Sequence, residues 1–546
     1  MSDDHPEIEY DTDYEVGQDN IEWLGLDIHN PVFFLAAGII LTFCIAVLVA
    51  PEHASVWLNG ARDWVVSTFD WFFVLVTNIA LVFCVAIGVS PLGKIRLGGD
   101  DARPDFSLHS WLAMLFAAGV GIGMVYYGTA EPLSHYLGAP VGDGSGVFGT
   151  PLNVQPRTSD AENVAMAATI FHWGIAPWAI YAVVGLALAF FTFNKGLPLT
   201  IRSTFYPLLG DRVWGWPGHV IDLVAVVATL FGLATSLGLG ARQAAAGIGF
   251  LFDFEATLWL QVLLIAFITS LAIFSVVRGL DGGVKLLSNI NMLVAIALLG
   301  FVFAVGPTWR IFISFFENAG AYFFNTPALT NPFGRGDDTG WFHDWSIFYW
   351  AWWISWSPFV GMFIARVSRG RTIRDFLLGV LLMPLIVVTV WFSTFGETAI
   401  SLVQSGVERL SSGEVPTELM LFEVLRELPF SFYSSLVAIV LLIVFFVTSS
   451  DSGSLVVDSI TAGGKLHAPV PQRIFWASME GLVAIALLVG GGTTALSSLQ
   501  AGAISAGLPF GVVLLVSCFS LFQGLRHELN IPTEAKLPSQ ASSGPK

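Results

Sequence analysis

The sequence predicts an all-α integral membrane protein of twelve transmembrane helices, and three observations predict it. Of 546 residues, 55% are hydrophobic, and mean hydropathy is +0.72. Only 12% are charged, where an ordinary soluble domain carries about 25%. The apolar residues also gather into twelve runs of 18 to 33 residues, against the roughly 20 that a helix needs to cross a bilayer core.

Taken in order, residues 1–30 hold ten acids and no Lys or Arg. High charge with low hydrophobicity predicts a disordered cytoplasmic tail there. No basic region with a cleavage site opens the chain, so no removable signal peptide is read. A membrane domain follows over residues 31–525. Its spans fall near 31–50, 68–90, 109–134, 162–192, 218–250, 257–278, 287–306, 341–366, 375–402, 430–462, 474–491 and 501–524. The stretch 308–325 opens with Trp309-Arg310 and carries Glu317, so it reads as an amphipathic helix lying along one surface. Residues 526–546 form a short cytoplasmic tail. Cys44, Cys84 and Cys518 all lie in apolar runs without metal or disulfide spacing, and packing is their expected role.

Lys and Arg in the loops set orientation. With both termini inside, cytoplasmic segments hold seventeen of them and outer segments six, Arg242 remaining in a span. Net charge is −17, which argues against a nucleic-acid partner and resembles the acidic surface of salt-adapted proteins.

Two spans look interrupted. Span 3 carries Gly119, Gly121 and Gly123 at alternate positions, which weakens a helix and exposes carbonyls. Span 8 carries Ser355-Trp356-Ser357-Pro358, and Pro358 cannot donate a backbone hydrogen bond. The breaks stand five spans apart, which predicts an inverted repeat of spans 3–7 and 8–12 with a ligand between the breaks.

Chemistry concentrates beside those breaks. Span 8 packs four tryptophans into seven positions, Trp350 to Trp356. In span 4, Trp173, Trp178 and Tyr181 fall within about 140° of one another at about 100° per residue. With Trp353 or Trp356 they make a cage of the kind that holds trimethylammonium groups. His172 beside them reads as a packed histidine. In span 10, Thr448-Ser449-Ser450-Asp451-Ser452 offers hydroxyls for a hard cation, and Asp451 is a candidate structural or gating residue. The run Arg366 to Arg374 suits lipid headgroups or topology, with a contact to the acidic tail as the alternative. No Walker loop, HExxH, CxxC or nucleophile elbow is present, so an ATP-driven pump or a membrane enzyme is not the reading.

The run Trp350-Ala351-Trp352-Trp353-Ile354-Ser355-Trp356, with Phe363-Ile364-Ala365-Arg366 and Ser368-Arg369-Gly370-Arg371, resembles the signature of the betaine/carnitine/choline transporter family. Gly119-Val120-Gly121-Ile122-Gly123, Glu131-Pro132 and His172-Trp173-Gly174 match it too. The resemblance covers roughly residues 30–525. It implies a leucine-transporter-like inverted repeat, usually trimeric, in the cell membrane. It implies that Trp173, Trp178, Tyr181 and Trp353 form the substrate cage, with Trp356 next along the pathway. The glycines at 119, 121 and 123 look like those of betaine carriers.

Sodium as coupling ion follows from the same resemblance, and no other cofactor does. One site maps to carbonyls of Ala117, Val120 and Phe445 with the hydroxyls of Thr448 and Ser449. A second maps to Thr229, Leu233, Ser236 and Phe359, and sodium-coupled members have threonine in place of Leu233; Thr235 stands nearby as a substitute. The expected function is sodium-driven import of glycine betaine or a related osmolyte by alternating access. The alternatives are a proton-coupled or sodium-independent choline or carnitine carrier, and a betaine-binding osmosensor.

Overall fold

The computed structural model describes residues 10, 12–119, 121–138, 149–278, 285–331, 333, 339–412 and 415–530. Helices dominate: α1 (Val32–Val49), α2 (Pro51–Val89), α3 (Leu108–Gly119), α4 (Ile122–Leu137), α5 (Ser159–Trp173), α6 (Ile175–Phe193), α7 (Tyr206–Leu209), α8 (Trp216–Phe252), α9 (Leu258–Arg278) and α10 (Lys285–Val305) come first. They are followed by α11 (Thr308–Leu329), α12 (Thr339–Phe342), α13 (Phe348–Val367), α14 (Ile373–Gln404), α15 (Glu408–Ser411), α16 (Met420–Arg426), α17 (Ser431–Thr461), α18 (Val470–Gly491) and α19 (Ala495–Asn530).

Among the described residues, nine helical segments are long and apolar enough to cross a membrane, or ten if the bent pair α10–α11 counts as one. The stretches read as spans 3 and 8 are not among them. Burial sorts the helices into shells. The most apolar window of α5–α6 is 94% buried, whereas those of α1, α2 and α9 are 33–39% buried. In a bilayer the latter present their Phe, Leu and Val side chains to lipid, and α5–α6 forms the core.

Helix ends follow local chemistry. Thr158 caps α5, its hydroxyl accepting from the Ala161 N–H at 3.1 Å, with Asp160 and Glu162 in the first turn, where the helix dipole favours acids. Pro307 separates α10 from α11, and the two helices meet at 112°. α11 buries Ile311, Ser314, Asn318 and Tyr322, a spacing of three to four that turns one face to the bundle, as the amphipathic reading expects.

Span 3 is interrupted as predicted: α3 ends at Gly119, and Gly121 is extended (φ −148°) before α4. Span 8 is not. Pro358 lies inside the continuous helix α13. The Ile354 carbonyl, whose usual N–H donor Pro358 lacks, accepts instead from the Ser357 hydroxyl at 2.7 Å. One side chain thus mends the hydrogen bond that proline removes. Span 4 carries a break that the sequence reading did not include, at Gly174 between α5 and α6.

The expected disordered tail does not describe residues 20–29. These form a two-stranded antiparallel hairpin, β1 (Asn20–Trp23) and β2 (Leu26–His29), paired Asn20 to His29 and Trp23 to Leu26. The turn residues Leu24 and Gly25 both have positive φ, 50° and 79°, which suits the twist of a tight hairpin. Acid composition hid it because its charges find partners: Asp27 pairs with Lys465, and Asn20 donates to the Ala462 carbonyl at 3.0 Å.

Among the described residues, the basic run meets the loop after α2 and not the acidic tail. Ile373 N–H donates to the Ile95 carbonyl at 2.9 Å, Arg371 donates to the Phe106 carbonyl at 2.7 Å, and Arg369 lies 3.5 Å from Asp105. Gly370 has φ +80°, and a Cβ there would sit 2.2 Å from the Arg103 backbone, so no other residue fits this crossing.

Candidate functional site

Trp353 on α13 joins the aromatic site together. Its ring meets Trp173 at 4.9 Å and 81°, and Tyr181 at 5.8 Å and 84°. Tyr181 meets Trp178 at 5.4 Å and 89°. These are edge-to-face contacts, the arrangement that ring quadrupoles favour. Trp353 Nε1 donates to the His172 carbonyl at 2.9 Å. That carbonyl is available because α5 ends one residue later, and the last carbonyls of a helix have no intrahelical donor.

The break at Gly174 also changes how the cage is built. Trp173 closes α5, while Trp178 and Tyr181 ride on α6, so three rings do not project from one helix. They still join a single cluster, through Trp353. Trp356 lies one turn further along α13, 6.3 Å from Trp352 and 5.6 Å from Phe359.

The span 3 glycines divide by role. A Cβ on Gly123 would lie 2.6 Å from Trp173 and 2.8 Å from Trp352, so glycine is what lets both indoles reach the α4 backbone. Gly121 faces no atom within 4 Å. Gly119 ends α3.

Of the hydroxyls proposed for cations, those of Thr448, Thr229 and Ser236 are back-bonded. Thr448 Oγ1 donates to the Val444 carbonyl at 3.0 Å and the Phe445 carbonyl at 3.2 Å, and Thr229 Oγ1 donates to Ala225 at 2.8 Å. A hydroxyl whose proton is so used keeps its lone pairs for a cation. α17, which carries Phe445, Thr448 and Ser449, packs against α4 just past the span 3 break. Ala117 lies in α3, and Val120 lies outside the described residues. Around the second site, Ser236 Oγ accepts from Trp352 Nε1 at 3.2 Å. Leu233 is fully buried, with Cδ1 2.2 Å from where a Gly453 Cβ would stand. Thr235 Oγ1 donates to the Leu499 carbonyl of α19 at 2.7 Å and to the Phe231 carbonyl at 2.9 Å. Asp451 is fully buried, and neither carboxylate oxygen has a hydrogen-bond partner among the described residues.

Sequence reading missed the groups behind the cage. Tyr349 lies 5.5 Å from Trp173, and Tyr127 lies 5.6 Å from Tyr349. Glu131 accepts from Trp173 Nε1 at 2.9 Å, and His172 Nδ1 lies 2.7 Å from its Oε1. His172 is thus a packed, hydrogen-bonded histidine. An acid in the middle of an apolar run was the available signal.

The chain is similar to known transporters along nearly its whole length. The family described as betaine/carnitine/choline family transporter matches residues 31–530. A protein named glycine betaine transporter 1, from Vibrio parahaemolyticus, is 55% identical over 520 residues, covering 95% of this chain and 97% of that one. A glycine betaine/proline/choline transporter of the same organism is 52% identical over 535 residues, with 96% of each chain covered. A glycine betaine transporter of Bacillus subtilis is 42% identical over 502 residues, covering 91% of this chain and 95% of its own.

Proposed function

We propose, from the premise that this chain belongs to the betaine/carnitine/choline transporter family, that it imports glycine betaine or a close trimethylammonium solute across the cell membrane. Sodium is the coupling ion in this reading, and alternating access the mechanism. The chain is a transporter and not an enzyme, so its residues bind and release without making bonds.

One observation carries the substrate class: Trp353 holds Trp173 and Tyr181 edge-on, and Tyr181 in turn meets Trp178. A trimethylammonium group has no N–H to donate, so hydrogen-bond acceptors cannot grip it. Ring faces can, at roughly 0.5–2 kcal/mol per ring. The names of the relatives support betaine as the first solute to test.

For sodium, the first site takes carbonyls of Ala117, Val120 and Phe445 with Thr448 and Ser449. The buried Leu233 side chain weighs against a second site at Thr229, Ser236 and Phe359. Twelve spans, a repeat relating spans 3–7 to 8–12, cytoplasmic termini and a homotrimer complete the proposal. The N-terminal segment supports the shared side of the termini, since Tyr10 packs 5.8 Å from His527 near the end of α19.

Uptake of labelled betaine into proteoliposomes, against sodium at constant ionic strength, tests the reading. Choline, carnitine and proline serve as competitors. Sodium-dependent uptake is expected. Uptake indifferent to sodium removes the coupling ion, and failure of counterflow makes the protein a binder that moves nothing.

A further inference from the structure

A carboxylate stands directly behind the aromatic cage. Glu131, on α4, is fully buried. Its Oε2 accepts from Trp173 Nε1 at 2.9 Å and from the Tyr349 hydroxyl. Its Oε1 lies 2.7 Å from His172 Nδ1 and 3.4 Å from His135 Nε2.

The His135 tautomer follows from its outer partner, and that of His172 is taken with the Ser346 hydroxyl as donor. Trp341 Nε1 lies 3.0 Å from His135 Nδ1. An indole N–H can only donate, so that nitrogen is bare and Nε2 carries the proton facing Glu131. Ser346 Oγ lies 2.8 Å from His172 Nε2; with the hydroxyl donating there, Nδ1 donates to Glu131. Three donors then meet the two carboxylate oxygens, from Trp173, Tyr349 and His172, with the His135 Nε2–H 3.4 Å away. A buried carboxylate supplied with donors in this way is stabilised as the anion. Glu131, His135 and His172 also bring potential metal-ligand atoms within 4.8 Å of one another. Their ring nitrogens are already committed to Trp341, Ser346 and the carboxylate, however, and a metal would have to displace those bonds.

We propose that Glu131 is a fixed anion that positions the cage and sets its selectivity for charge. It orients the Trp173 and Tyr349 rings through charge-assisted hydrogen bonds. Accepting the indole N–H also enriches the Trp173 ring in electron density, which strengthens its hold on a cation. The negative charge itself lowers the energy of a quaternary ammonium group in the cage, yet gives nothing to a neutral group of equal shape. This inference rests on the cage being an ammonium site.

The test compares two ligands on purified full-length protein by equilibrium binding. One is glycine betaine. The other is its tert-butyl analogue, in which carbon replaces the ammonium nitrogen. Wild type is expected to prefer betaine. Glu131→Gln should weaken betaine on the order of tenfold and the analogue less, so the preference falls. Glu131→Asp, which keeps the charge, should retain the preference. Should the glutamine variant fail to fold, Glu131→Met tests the same point with an apolar chain of similar length. Equal weakening of both ligands would mean that Glu131 only props the cage, and an unchanged preference would remove it from recognition; either overturns the inference. If wild type itself shows no preference, the ammonium site fails instead.

Discussion

Trp353 links rings that come from two different helices, α5 and α6, to the helix α13 on which it rides. Its value lies in its ring and in one N–H, which donates to His172 at 2.9 Å. Trp353→Leu keeps apolar bulk but removes the ring face and that bond. Losing one cation–π contact of about 0.5–2 kcal/mol predicts betaine affinity about two- to thirtyfold weaker, read by equilibrium binding. Trp309→Leu is the control, because Trp309 is 73% exposed on α11, and it should bind as wild type. Unchanged binding in Trp353→Leu would detach the cage from the substrate. Gly123 makes the complementary case. A methyl there would stand 2.6 Å from Trp173 and 2.8 Å from Trp352, so Gly123→Ala must push both rings away from α4. Betaine affinity should fall while the helix, which gains a better helix former, loses nothing. A thermal melt beside the binding curve separates the two effects.

Helices show where sequence reading succeeds and where packing overrules it. Composition made the membrane bundle legible, and the three glycines at 119, 121 and 123 made the span 3 break legible, because both are local properties. Pro358 looked like an equal signal. Its helix survives because Ser357 supplies the hydrogen bond to Ile354, a rotamer choice that no pattern displays. The break at Gly174 was overlooked for the opposite reason: a lone glycine in an apolar run gives little warning, and the tertiary contacts of Trp173 decide the matter. Glu131 was visible as an acid in a span with His135 four residues on, yet its other partners come from α5 and α13 and could not be paired by spacing. The same element scale governs sodium. Thr448 and Ser449 ride on α17, a helix that packs against α4. Thr448→Ala/Ser449→Ala removes two of about five oxygens and leaves carbonyls alone, too few for a hard cation. Half-saturating sodium for betaine uptake should rise steeply, and betaine affinity should weaken with it, since coupling is reciprocal. A double variant with the wild-type sodium curve would mean that α17 binds no sodium.

At the scale of the whole molecule, residues 12–29 run across one end of the bundle and join helices that are far apart in sequence. Tyr14 stacks on Trp214 at 4.1 Å, Thr12 donates to Asp211 at 2.9 Å, and the Asp27 N–H donates to Gln472 at 3.2 Å. His29, at the end of β2, is fully buried beneath this segment. Its Nε2 lies 3.4 Å from Arg202 Nη1 and 3.9 Å from Asp19, and its ring lies 5.3 Å from His219. Arg202 is itself paired with Asp222 at 2.6 Å. Burial, then the Arg202 guanidinium, then His219 lower the imidazole from 6.5 to about 3. A released segment would regain the ordinary value, so below it the free form binds a proton that the docked form refuses. Docking is therefore fully stable above about pH 6.5 and weakens progressively as pH falls toward about 3. Limited proteolysis of the N-terminal segment across that window should show faster cleavage with acid in wild type. His29→Gln cannot titrate, and its cleavage should depend much less on pH. If both proteins respond to acid alike, His29 is not what releases the segment.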